Sequence, residues 1–484
     1  MMHQSAAAGG HDIAARAVVT RRAALSDKYF RAKVIFGPEN RPSRESSPVD
    51  PRAVPWKPVK RLRMTSPISR DACAARDKAD PLAALRDAFE LPEGVIYLDG
   101  NSLGPLPRAT RARVLQAIEH EWGQGLITSW NDAGWIDLPG RIGGKIARLV
   151  GAQADEVIAV DSTSVNLFKL LAGALALRPQ RRVIVSETGN FPTDLYIAQG
   201  LASLQGAGHE LRLVERERIA DAIDEHTAVV MLTQVDYRSG SCLDMAAVTA
   251  LAHRAGALML WDLAHSAGAL AVDLNGTGVD LAVGCGYKYL NGGPGAPAFA
   301  FVARALQENF DQPLSGWLGH ASPFAFETGY RPAPGIARLQ CGTAPVLSMT
   351  ALESGVDTLL LAEAAGGLPA LRRKSLQLGD LFIERVAARC ADHPLRLITP
   401  RAHEQRGSQV SYAIGDPQMG YAVIQALIAR GVIGDFRAPD ILRFGLAPAY
   451  LRATDVWDAV EHLGQVLDTG QWREARFMSR KAVT

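Results

Sequence analysis

The chain has 484 residues, more than one compact core needs, so two domains are the default expectation. Its 48% hydrophobic and 21% charged residues are an ordinary globular balance, and no apolar run reaches the length of a membrane span. The formal charge of +2 is unevenly spread: residues 1–63 hold thirteen Lys or Arg against five Asp or Glu. The remainder is therefore mildly acidic, with no electrostatic reason to bind nucleic acid.

Five scattered cysteines (Cys73, Cys242, Cys285, Cys341 and Cys390) lack any CxxC spacing, which argues against a disulfide framework or a metal site. Arg16, Arg21 and Arg22 interrupt every apolar stretch near the N-terminus, so no secretory segment is expected and the predicted location is cytoplasmic. Residues 1–63 are basic and Pro-rich and cannot bury enough apolar area to offset their ordering entropy, so the expectation is a disordered, dispensable tail. Within it, residues 13–36 could also form a short helix or a transit-like segment.

From about Asp80 the pattern becomes periodic. Val114, Ile118 and Trp122, with Leu115 beside them, form an apolar helix stripe. Strands are predicted over Val157–Val160, Val183–Ser186, Ala228–Thr233, Ala257–Asp262, Leu281–Gly284 and Ala298–Val302. Helices such as Val165–Leu177 and Met245–Arg254 lie between them. This alternation predicts an α/β fold whose mostly parallel sheet is covered by helices on both faces. Past Ser348 come a long helix and a smaller α+β set with strands near Gln409–Ile414 and Leu442–Leu446. The expected division is a segment 64–130 packing on the small domain, a large domain 131–350 and a small domain 351–475.

In such a sheet, ligands bind beyond the carboxyl ends of the strands. The first strand is followed by Asp161-Ser162-Thr163-Ser164 and a helix, where hydroxyls either cap free N–H groups or join them in holding an anion. After the second comes Asn190-Phe191-Pro192-Thr193-Asp194, whose aromatic is a loop anchor or a surface for stacking a flat ring. Asp262, in Trp261-Asp262-Leu263-Ala264-His265, closes a buried strand; it caps the next helix or pairs with a buried cation. Then Gly284-Cys285-Gly286-Tyr287-Lys288-Tyr289-Leu290-Asn291-Gly292 sets a lysine in a Gly-flanked loop, desolvated and suited to Schiff-base chemistry. Neither a Walker loop nor a dinucleotide GxGxxG occurs in the expected context.

That order of signals resembles the fold type I pyridoxal-phosphate enzymes, aminotransferase class V branch. Three stretches resemble kynureninases in particular: Tyr97-Leu98-Asp99-Gly100-Asn101-Ser102-Leu103-Gly104-Pro105, Phe191-Pro192-Thr193-Asp194 and Tyr287-Lys288-Tyr289-Leu290-Asn291. The likeness runs from about Met64 to about residue 475. It implies pyridoxal 5'-phosphate bound as a Schiff base on Lys288, with Asp262 at the pyridine nitrogen, Asp194 close by and Phe191 stacked on the ring. Thr163, Ser164, Pro192, Thr193, Thr233, His265 and Tyr287 would complete the cofactor site, and Tyr287 would relay a proton. It further implies that Trp317 and Thr343 serve the neighbouring subunit of a homodimer, and that Arg443 and Asn101 bind substrate. The implied reaction is hydrolytic cleavage of L-kynurenine to anthranilate and L-alanine. 3-Hydroxykynurenine is a second substrate to weigh, but the resemblance implies a preference for L-kynurenine, because relatives that favour the hydroxylated compound carry Asn where this chain has Thr343.

Two alternatives are weighed beside it. A cysteine desulfurase of the same branch needs a mobile nucleophilic cysteine, and neither Cys341 nor Cys390 lies in a flexible Gly/Ser loop. A non-catalytic pyridoxal-phosphate carrier would leave Arg443 and the Asn101 motif without a purpose.

Overall fold

The computed structural model describes residues 68–206 and 208–480. The expectations for the tail and its 13–36 stretch lie outside those residues. Seven strands form the main sheet: β1 (Val157–Val160), β2 (Val183–Glu187), β3 (Glu210–Val214), β4 (Thr227–Thr233), β5 (Leu258–Asp262), β6 (Leu281–Gly284) and β7 (Ala298–Val302). Their spatial order is β1-β7-β6-β5-β4-β2-β3, parallel throughout except for β7, which runs against both of its neighbours.

Every residue of these strands except those of β3 is buried, which is why they read as continuous apolar runs. Alternate residues serve opposite faces. Val157 and Ala159 join one apolar cluster, while Ile158 and Val160 join the other, packed against helix Thr163–Leu177. On the first face, helix Leu138–Val150 approaches β1 so closely that a Cβ at Gly143 would lie 2.7 Å from the Ile158 Cα.

Sequence reading misses β3. It is an edge strand, only Leu211 of it is buried, and Glu210 and Arg212 break the apolar run. A second correction concerns the Val114, Ile118 and Trp122 stripe. The helix is present over Arg108–Gln116 and continues as a wider turn through Trp122, but Leu115, Ile118 and Trp122 are exposed. Its period is helical, yet the stripe covers none of this chain's own core.

The smaller sheet comprises β8 (Arg396–Leu397), β9 (Gln409–Ala413), β10 (Asp435–Arg437) and β11 (Ile441–Gly445). It is antiparallel, in the order β8-β9-β11-β10, and is backed by helices Gly367–Arg389, Pro417–Ile428 and Ala453–Thr469. The N-terminal stretch lies on this unit. Ile96–Tyr97 pairs in parallel with Val432–Ile433, and the Asp77 carboxylate accepts from the Ala453 and Thr454 amides (2.6 and 3.0 Å), capping the last long helix from outside. The 64–130, 131–350 and 351–475 boundaries remain a proposal about where independent units would separate.

Candidate active site

The carboxyl ends of β1, β2, β4, β5 and β6 converge on a cavity of about 180 Å³. Its wall contains Thr163, Ser164, Phe191, Thr193, Asp194, Thr233, Tyr237, Asp262, His265, Cys285, Tyr287 and Lys288. Larger clefts of about 690 and 620 Å³ lie beside the small domain, but ion pairs such as Arg452–Asp455 and Lys374–Asp80 line them and no main-sheet strand ends there. Chemistry converges in the smaller one.

Parallel pairing sets Thr233 beside Asp262. Thr233 donates to the Asn190 amide oxygen (2.5 Å) and, more weakly, to Asp194 (3.4 Å). Burial and the adjacent Asp262 carboxylate push Asp194 well above the usual carboxylate range. Burial raises Asp262 too, against the opposing pull of the Lys288 ammonium, and its Oδ1 accepts from the Ala264 amide (2.7 Å). Among the described residues no helix begins between β5 and β6, so this bond closes a turn and does not cap a helix as expected. Across the cavity, Thr163 and Ser164 open helix Thr163–Leu177, whose first N–H groups have no partners within the helix.

Lys288 sits in a loop closed by the Gly292 amide on the Gly286 carbonyl (2.9 Å), with Asn291 in the left-handed region at φ 56°. The opening motif clamps this loop: the Gly104 amide donates to the Tyr287 carbonyl (2.8 Å). A Cβ at Gly104 would lie 2.8 Å from the Asn291 Cα and closer still to the Lys288 carbonyl. Gly104→Ala is therefore expected to shift the lysine loop and cost about 1–3 kcal/mol. Urea melts check the stability loss, and an unchanged midpoint would show that the loop yields freely.

His265 donates from Nδ1 to the Gln409 side chain (2.9 Å), and burial, then the nearby Lys288 charge, holds it well below its ordinary pKa, so it is neutral. Burial raises the Tyr287 phenol. Phe191 stands edge-on to Tyr237 at 5.2 Å and is exposed. Pro192 is the first residue of helix Pro192–Gln205 and lies outside the cavity wall.

Not every expected residue gathers here. Trp317 and Thr343 are exposed, outside this chain's cavity wall, with Trp317 edge-on to Phe324 at 5.7 Å. Asn101 is buried against Gly445, and neither of its amide atoms has a partner among the described residues. Arg443 is buried one layer away, held by Asp435 and by the Tyr237 carbonyl (2.7 Å). Sequence reasoning missed Tyr237, four residues past β4, although the strand-end rule that found the others reaches it. It also missed Asp435 and Arg437, which only the pairing of β10 with β11 brings beside Arg443.

Comparison with known proteins agrees with this geometry. A kynureninase C-terminal domain family model matches residues 371–463, and the DegT/DnrJ/EryC1/StrS aminotransferase family model matches residues 128–281. Kynureninase of Burkholderia mallei is 57% identical over 421 residues, which span 86% of this chain and all of that protein. The chain belongs to the kynureninase family. Kynureninase of Pseudomonas fluorescens is 55% identical over the same proportions. Among solved structures, a C-DES mutant with glycine covalently linked to its PLP cofactor superposes with a TM-score of 0.67 at 16% identity, covering 78% of this chain and 98% of that one. Cysteine desulfurase CsdA of Escherichia coli gives 0.64 at 18%, covering 80% and 98%. These distant likenesses show the fold type I architecture of the kynureninase-family chain, and the fold alone.

The cysteines do not support a desulfurase chemistry. Burial pushes the Cys390 thiol up to about 12 and Cys242 up to about 11, and Cys341 donates to the Leu314 carbonyl (2.9 Å). Among the described residues no group of acidic, His or Cys side chains could hold a metal ion, and no helix is long and apolar enough to cross a membrane.

Proposed function

We propose that this chain binds pyridoxal phosphate and hydrolyses the Cβ–Cγ bond of L-kynurenine, releasing anthranilate and L-alanine. The observation that carries this is that Lys288 shares one cavity wall with a buried carboxylate pair and a hydroxylated helix start, in a chain 57% identical to a curated kynureninase.

The residues present fit the cofactor. With both carboxyls raised by burial, a single proton on the Asp194–Asp262 pair would leave one negative charge in a buried niche, the complement of a protonated ring nitrogen. At the other end, helix N–H groups, Thr163 and Ser164 suit a phosphate. Phe191 supplies a flat apolar surface at the rim. Bound there, pyridoxal phosphate supplies a cationic ring that accepts electrons from the substrate's Cα.

Everything else falls to the protein. Lys288 would hold the cofactor covalently, and its amine would take the proton from the substrate's Cα. The Tyr287 phenol, held protonated by burial, would deliver a proton to Cβ as L-alanine forms. Neutral His265, oriented by Gln409, would lie beside the ring without adding charge, and Thr233 and Thr193 would help to hold it. Arg443 and Asn101 bind substrate.

The working form on this reading is a cytoplasmic homodimer. Leu115, Ile118, Trp122, Ile127, Trp317 and Phe326 are all exposed, more large apolar surface than scattered residues of a monomer explain. A second copy would cover it and receive Trp317 and Thr343 at its own cavity. Anthranilate fluorescence on mixing purified protein with L-kynurenine tests the activity. The shorter Thr343 side chain is expected to favour L-kynurenine over 3-hydroxykynurenine in kcat/KM, and the reverse order would overturn that assignment.

A further inference from the structure

Antiparallel pairing sets Asp435 of β10 directly opposite Arg443 of β11, and the two-residue repeat of a strand brings Arg437 to the same face as Asp435. A guanidinium has five N–H donors. In Arg443 four are committed: Nε (2.8 Å) and one Nη2 hydrogen to Asp435, the other Nη2 hydrogen to the Ser102 hydroxyl (2.7 Å), and one on Nη1 to the Tyr237 carbonyl (2.7 Å). One N–H is left, and a forked grip on a carboxylate takes two parallel ones.

Arg437 is the opposite case. Its Nη2 reaches Asp435 (2.7 Å) and, loosely, Ser102 (3.3 Å), while its Nε is buried without a partner among the described residues. The charges do not balance either. Two guanidiniums face Asp435, and the remaining acid, Asp99, is pushed up to about 7 by burial and by Asp435 itself. With Asp99 about half ionised at neutral pH, the cluster holds a fractional surplus of positive charge. It is also within electrostatic reach of the cavity, since the Arg437 charge acts on Tyr287 and His265.

We propose that Arg437 and Arg443 jointly receive the substrate's α-carboxylate, with Asp435 as the spacer fixing the two guanidiniums; this rests on the reading of the cavity given above. Each arginine then contributes what the other lacks. Arg443 is rigid and nearly spent, whereas Arg437 is half-open, with a desolvated donor unused.

The test compares holoenzyme of the parent chain with Arg437→Gln and Arg437→Lys. Two readouts are used: anthranilate release from L-kynurenine, and the absorbance change of the bound cofactor titrated with L-alanine or with L-alaninamide, which lacks the carboxylate. Arg437→Gln should raise KM by about tenfold or more, as loss of a charge-assisted hydrogen bond predicts, with kcat little changed. The preference for L-alanine over its amide should fall by a similar factor, and Arg437→Lys should recover part of it. The two-arginine cradle is overturned if the preference is unchanged, or if both ligands weaken equally, which marks a merely structural role. Failure of the parent chain to release anthranilate would instead sink the functional reading, while the alanine comparison would still judge the cradle.

Discussion

Lys288→Ala is expected to eliminate the visible absorption of the bound cofactor and to lower anthranilate release by on the order of 10³-fold or more. The size reflects two duties resting on one amine, covalent attachment and movement of the Cα proton, and the wall around it. It is the one lysine or arginine in the cavity wall, so no neighbouring amine stands ready to replace it. Folding should be nearly unaffected. The loop is held by the Gly292–Gly286 and Gly104–Tyr287 backbone bonds and by the Asn291 amide donating to the Tyr289 carbonyl (2.8 Å), none of which uses the lysine side chain. Absorbance spectra, stopped anthranilate assays and thermal melts on the same preparation separate these effects. Wild-type turnover by the variant would remove Lys288 from the chemistry altogether.

The same loop shows what made the large domain legible in the sequence. Strands buried on both faces must be apolar at every position, so β4, β5 and β6 announce themselves. A polar residue closing such a strand, or just beyond it, then stands out, and Thr233, Asp262 and Lys288 are all found at the ends of apolar runs. Where the rule of continuous burial fails, so does the reading. β3 is an edge strand with Glu210 and Arg212 on it, and nothing in its composition separates it from a loop. The exposed Ile118 and Trp122 fail differently, because helical period tells which residues share a side and not what that side meets.

Residues brought in from the second half of the chain were harder still. Arg443 stood out through its likeness to a family, but its surroundings depend on a pairing register that sequence does not display. Asp435 opposite Arg443, and Ser102 reaching both from more than 300 positions away, exist only once Ile96–Tyr97 has docked beside Val432–Ile433. A local motif can nominate a carboxylate-binding arginine; it cannot count how many of its donors are already taken.

That count changes what Arg443→Ala should do. Loss of a charge-assisted bond to substrate predicts about 2–3 kcal/mol weaker binding, read as a higher KM. The structure adds a cost in folding, because Asp435 is 1% exposed and Arg443 is its forked partner. Orphaning one member of a buried ion pair costs about 3–5 kcal/mol. Here the loss should fall toward or below the lower bound, since Arg437 still reaches Asp435 at 2.7 Å. Arg443→Lys should recover little of either effect, as a point charge cannot span both Asp435 oxygens and Ser102. The two contributions can be separated by removing the stranded charge as well. Arg443→Ala combined with Asp435→Asn should regain much of the denaturant midpoint while leaving KM high. Should the double variant melt as low as the single one, the instability comes from lost packing and not from Asp435. If Arg443→Ala instead keeps the parent KM, the α-carboxylate is held without it, and Arg437 alone must carry the contact.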